Sequence, residues 1–204
     1  MTSILTGDII KSRGTQSQDV WLEPLKKAMN QVAKMPNLFE IYRGDSFQLE
    51  IEDYSESFET AVYLKSCIKS IKGFDVRMSI GIGEKTYTGK TVGESNGEAF
   101  IYSGEMFETL KKDKQNLKIK TNSNAFNKEM NLFFKLALIA MDNWTPNSAE
   151  IVKLTLENPN KIQEELAKLI GISQDAVSKR QKRAYIDEIL ELNQLYQQKI
   201  KTLL

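Results

Sequence analysis

The sequence predicts an α+β fold in two parts, a sheet of βαββαβ order followed by an all-helical unit containing a helix-turn-helix. Three observations carry this expectation. Of the eleven glycines, ten lie at or before Gly104 and Gly171 alone lies beyond it. Apolar and polar residues alternate in several short stretches of the first part, the period of a half-buried strand. From Ala125 onward the apolar repeats have helical spacing throughout. The expected division is 1–124 and 125–204.

The elements follow in order. The stretches 3–10 and 38–42 are less alternating, so both are expected as strands nearer the sheet centre. Between them, 19–35 repeats Leu22, Leu25, Met29 and Val32 at helical spacing, with Asp19 as a cap and Pro24 in the first turn. Stretch 46–52 puts Phe47, Leu49 and Ile51 on one face and Gln48, Glu50 and Glu52 on the other. Stretch 57–71 carries one apolar helical stripe. Stretch 76–82 alternates Val76, Met78, Ile80 and Ile82 with Arg77, Ser79 and Gly81; 98–110 is a helix and 117–121 a strand. Strand, helix, strand, strand, helix, strand, helix, strand is the split, ferredoxin-like plan with additions, its helices expected on one face. The helical part comprises 127–141, 148–156, 161–170, 174–185 and a run on to Leu204, with breaks at WTPN (144–147) and NPN (158–160).

Composition narrows the chemistry. The chain has no histidine and one cysteine, which removes histidine-based nucleophilic catalysis and argues against a zinc site, whose usual imidazole and thiolate ligands are missing but for Cys67. Cys67 lies among Ala61, Leu64, Ile68 and Ile71 and is expected to be a buried hydrophobe. The formal net charge of +1 gives no global attraction to nucleic acid, so any such partner must meet a local patch. The N-terminus lacks a signal-peptide pattern, and the richest apolar stretch, 132–141, is interrupted by Lys135. A cytoplasmic protein with no membrane partner is expected.

The most specific motif spans about 161–185. Two tightly crossing helices need a small residue at their contact, supplied by Ala167. Four residues later the chain must turn through the left-handed region, which suits Gly171. Ile172 plugs the corner, Ser173 caps the next helix, and Val177 points back to Leu166 and Ile170. The second helix offers Gln174, Asp175 and Ser178 to base edges and Lys179, Lys182 and Arg183 to phosphates, with Arg180 beside them. DNA is the partner this pattern implies.

Two Gly-Asp pairs mark the first part, one ending the first strand and one at the tip between the second and third. Asp8 and Asp45 are expected to come close, where two carboxylates suit a magnesium ion; turn chemistry alone also explains them. Gly89-Lys90-Thr91 resembles the end of a phosphate-binding loop, but Gly83 lies one residue too far upstream and no helix opens at Lys90. Asn143-Trp-Thr145 matches a glycosylation acceptor that a cytoplasmic protein would not use.

In combination, TGDIIKSR (6–13), RGDSFQ (43–48), SIGIG (79–83), ESNGEAF (94–100), Ser103-Gly104, Trp144-Thr145 and the helix-turn-helix resemble the SatD family. That bacterial family is described as transcriptional regulators, and the likeness covers nearly the whole chain. More distantly, the first part resembles the catalytic domain of class III nucleotidyl cyclases, in which aspartates placed like Asp8 and Asp45 hold metal ions. The likeness implies a nucleotide ligand and magnesium. It also departs from those enzymes: the places of their asparagine and arginine fall near Ile101 and Glu105, and an acid there opposes stabilisation of phosphate charge. No catalytic residue is therefore assigned.

These readings lead to a DNA-binding regulator with a degenerate cyclase-like sensory part. The alternatives are a metal-dependent nucleotide-processing protein with structural C-terminal helices, and an interaction module. The last helix places Ile189, Leu192, Tyr196 and Leu203 on one stripe. Either the 127–141 helix or a second copy covers it, and the two half-sites read by paired helix-turn-helices favour a homodimer.

Overall fold

The structure, a computed structural model, describes residues 1–12, 17–42 and 44–203; Arg13, Arg43 and Leu204 of the stretches above lie outside them. It is a mixed α+β fold. Strand β1 (Thr2–Ile10) is followed by helix α1 (Asp19–Val32), strands β2 (Phe39–Tyr42) and β3 (Ser46–Ile51), helix α2 (Ser57–Lys69) and strand β4 (Asp75–Gly83). A short hairpin of β5 (Lys85–Tyr87) and β6 (Asn96–Gly97) precedes helix α3 (Glu98–Asp113) and strand β7 (Leu117–Lys120). Five helices complete the chain: α4 (Asn124–Met141), α5 (Pro146–Glu157), α6 (Gln163–Ile170), α7 (Gln174–Ala184) and α8 (Ile186–Leu203).

The main sheet has the order β2-β3-β1-β4-β7, antiparallel throughout except for the parallel pair β4–β7. β1 is central and buried along nearly its whole length, which explains its weak alternation. β2, expected near the centre, is an edge strand with half-buried residues. Asp19 lies in the first turn of α1 rather than at its cap, which is Gln18.

The sheet has two different faces. Leu5, Phe47, Leu49, Val76, Met78, Ile80, Leu117 and Ile119 enter the main core with residues of α1, α2, α4, α5 and α8. The expectation of helices on one face needs correction, because α3 covers the other. A Cβ on Gly81 would lie 2.2 Å from the Ala99 carbonyl oxygen and 2.3 Å from the Ser103 nitrogen, so glycine is what lets α3 approach β4. Ser103 Oγ meets Thr6 Oγ1, and Ser79 Oγ donates to the Ser103 carbonyl at 2.8 Å. Farther out, Glu50 is buried and satisfied by Lys85 at 2.7 Å and Thr2 at 3.1 Å. Hydroxyls, glycines and paired charges alternate like a solvated face, yet they form a second, polar packing layer.

Helix α2 is buried on nearly every side, not along one stripe. Its Lys65 is fully buried, 2.7 Å from Asp75 and 2.6 Å from Asp142, while Lys69 donates to Asp75 at 3.0 Å and to the Asp142 carbonyl at 2.7 Å. Two ammonium groups are tolerable there because two carboxylates and a carbonyl surround them. Cys67 is buried as expected, and that burial pushes its thiol up to about 11.

The helical part is fastened to the sheet. On the open edge of β7, Asn131 accepts from the Ile119 N–H at 2.9 Å and donates to its carbonyl at 2.8 Å. Asn127 does the same for Thr121 at 2.8 and 2.9 Å, so two amides of α4 act as the missing strand. Phe58 of α2 stacks on Phe134 of α4 at 4.7 Å, and Tyr196 of α8 completes the cluster at 6.1 and 6.3 Å. The main core continues across the 124/125 boundary. No helix among the described residues is long and apolar enough to cross a membrane.

Candidate functional site

The segment from α5 to α7 is assembled from residues legible in the sequence. Thr145 caps α5 by accepting from the Ser148 N–H at 3.2 Å, with Pro146 in the first turn. Leu166 and Ala167 of α6 are buried. Helix α6 ends on Gly171, whose φ of 68° lies in the left-handed region, and the Ile172 N–H closes the turn on the Ala167 carbonyl at 3.1 Å. Ser173 caps α7 by accepting from the Ala176 N–H at 3.2 Å, and Val177 is fully buried below. Gln181 ties α7 to Gln163 of α6 and Thr155 of α5, and Trp144 donates to the Ala184 carbonyl at 2.9 Å. These contacts fix α7 on its inner side.

Its outer side carries every residue expected to meet DNA. Gln174, Asp175, Ser178, Lys179, Lys182 and Arg183 fall at i, i+1, i+4, i+5, i+8 and i+9, a single face of one helix. All are exposed except half-buried Ser178. Two cations are partly neutralised: Lys179 pairs with Asp175 at 2.7 Å, and Arg180 turns to Glu150 at 2.7 Å. Lys182 and Arg183 have no ion-pair partner among the described residues. From 161 to 184 the chain has six basic and three acidic residues, a local +3 within a chain of net +1.

A second candidate lies where β1 meets the β2–β3 tip. Asp8 and Asp45 line one cleft of about 880 Å³ together with Lys11, Ser12, Arg77 and Lys111. Backbone pairing brings the aspartates near each other: Asp8 is opposite Ser46 in the ladder, and the Ile9 N–H donates to the Asp45 carbonyl at 3.0 Å. Asp8 also stands opposite Arg77 on β4, whose guanidinium takes both carboxylate oxygens, Nε at 2.8 Å and Nη2 closer still. Asp45 accepts from Ser12 at 2.5 Å. Both oxygens of Asp8 already hold an internal cation, so a magnesium ion at this place would have to displace Arg77 from them. Lys11, with φ of 68°, is one of three non-glycine residues in the left-handed region among the described residues.

Sequence reasoning did not anticipate Arg77, because its partner is set by strand register. The cleft takes Phe107 and Lys111 from α3, whereas Ile101 is exposed and Glu105 is tied to Lys120. Around Lys90, the backbone N–H that a phosphate would need is occupied by Glu94 at 2.9 Å. Comparison of the chain with family models, curated proteins and solved structures returns no match.

Proposed function

We propose that this protein is a DNA-binding transcriptional regulator that enters the major groove with the outer face of α7. The observation that carries the reading is the division of α7 into a side pinned by Val177, Gln181 and Ala184 and an outer side of polar and charged residues, basic but for Asp175. A recognition helix must combine rigid seating with a protruding face, and the Gly171–Ser173 turn supports that geometry. In this reading α6–α7 is the helix-turn-helix of a cytoplasmic regulator of SatD type. The order β2-β3-β1-β4 with antiparallel neighbours supports a ferredoxin-like, cyclase-like N-terminal part, whose cleft serves as the sensory site for an anionic ligand such as a nucleotide. Arg77 and Glu105 weigh against cyclase chemistry there.

Selection of duplexes from a random pool by the intact protein tests the proposal. Enrichment of a defined sequence is expected. Gln174→Ala and Ser178→Ala should each relax preference at one or two base pairs, by about 1–3 kcal/mol of discrimination, with little change in binding to random duplex. A pool that emerges unenriched, with no duplex retained at low salt, would overturn the reading.

A further inference from the structure

We infer that a second copy of this chain docks on the face formed by α4 and α8. The stripe expected to need a partner is largely covered within the chain. Ile189 and Tyr196 are buried, Tyr196 donates to the Tyr54 carbonyl at 2.8 Å, and Asn193 donates to Glu59 at 2.7 Å. The uncovered apolar surface lies beside it, on α4. Leu132, Leu136 and Ile139, at i, i+4 and i+7, are 55%, 54% and 68% exposed. Leu136 and Ile139 border a groove of about 520 Å³ lined also by Phe133, Ala140, Tyr185 and Leu192, and Leu132 extends the row by one turn. A single exposed leucine is ordinary, but a row of three along an apolar groove marks an interaction surface.

The charges around that surface choose the occupant. Lys128 and Lys135 are exposed on α4, and Glu188 and Glu191 are exposed on α8. None of the four makes an ion pair among the described residues. The face is therefore basic along the outer edge of α4, apolar in the middle and acidic on the first turns of α8, with the Glu129–Lys199 ion pair at 3.0 Å closing its far end. A two-fold axis through the middle sets the basic helix of each copy against the acidic helix of the other, the self-complementarity that an isologous interface requires. The acidic helix would repel DNA or an anionic lipid surface. Tyr185 in the groove lining directly follows α7, so docking fixes the relation of two α7 helices; this last consequence rests on the proposed function.

Sedimentation of the intact chain without DNA tests the inference. A species of twice the 23.3 kDa chain mass is expected. Leu136→Glu and Ile139→Glu should each give monomers with unchanged thermal unfolding, since both side chains lie outside the core. Lys135→Glu and Glu188→Lys should each weaken association by about 10-fold, and the double variant should restore it. A wild type that stays monomeric up to about 100 μM, where an interface of ordinary size would be filled, overturns the inference. So does a dimer that survives Leu136→Glu, or a charge pair without restoration, or a different protein displacing the second copy. A monomer that still binds duplex sinks this inference and spares the α7 reading; a dimer that ignores duplex does the reverse.

Discussion

Replacing Lys179, Lys182 and Arg183 together with alanine should weaken binding to duplex DNA of any sequence and flatten its salt dependence. Each lysine or arginine on a phosphate contributes a slope of about −0.9 in log K against log salt, so three lost contacts flatten it by about 2.7. Over a four-fold rise in salt this is roughly a 40-fold smaller loss of affinity for the variant than for the wild type. All three residues are exposed and lie opposite Val177, so the fold should be unchanged by circular dichroism and thermal unfolding. Lys179 starts from a pair with Asp175, and its contact to DNA exchanges one anion for another. Lys182 and Arg183 should therefore account for most of the effect. A variant with the wild-type slope would place the DNA contacts elsewhere on the molecule.

Tyr196→Ala should be among the most destabilising single substitutions in the chain. The ring is fully buried against Phe58 and Phe134, and its hydroxyl is bonded to the Tyr54 carbonyl. Removing a buried aromatic of this kind costs about 3–5 kcal/mol. For a protein of this size that corresponds to a fall of roughly 10–15 °C in Tm. The ring joins α2, α4 and α8, so the transition should remain single and lose sheet and helix signals together. If Tyr196 itself faced a second copy and not the core, the same substitution would abolish association and leave the Tm of the monomer where it was.

Much of the fold was legible because each element carries its own periodicity. Alternation located β3, β4 and β7, helical spacing located the helices, and the 161–185 pattern gave the turn, the cap and the inward residues individually. What stayed hidden depends on partners distant in sequence. Thr6, Ser79 and Gly81 have the pattern of a solvent face, yet they receive α3, whose Ala99 and Ser103 are small enough to pack there. β2 was placed centrally because its alternation is weak, but its half-buried residues belong to an edge. The convergence of Asp8 and Asp45 was expected from the topology. The guanidinium that takes Asp8 was not, because Arg77 becomes its neighbour through the β1–β4 register alone. The stripe on α8 is read from the sequence in favour of a second copy, whereas Tyr196 in it packs inside the chain, on α2 and α4. The β5–β6 hairpin went unseen because its strands have three and two residues, too few for any period to register.

Site-specific photo-cross-linking tests most directly whether the outer face of α7 lies in the DNA groove. A benzophenone side chain placed at Gln174 or Lys182 of the intact protein should cross-link to duplex DNA, and the same group at Tyr87 on the β5–β6 hairpin should not. Both kinds of position are exposed, so the comparison reads location and not access. Cross-links confined to α7 are the predicted result; cross-links at Tyr87 with none at Gln174 or Lys182, or none at any position, would contradict it.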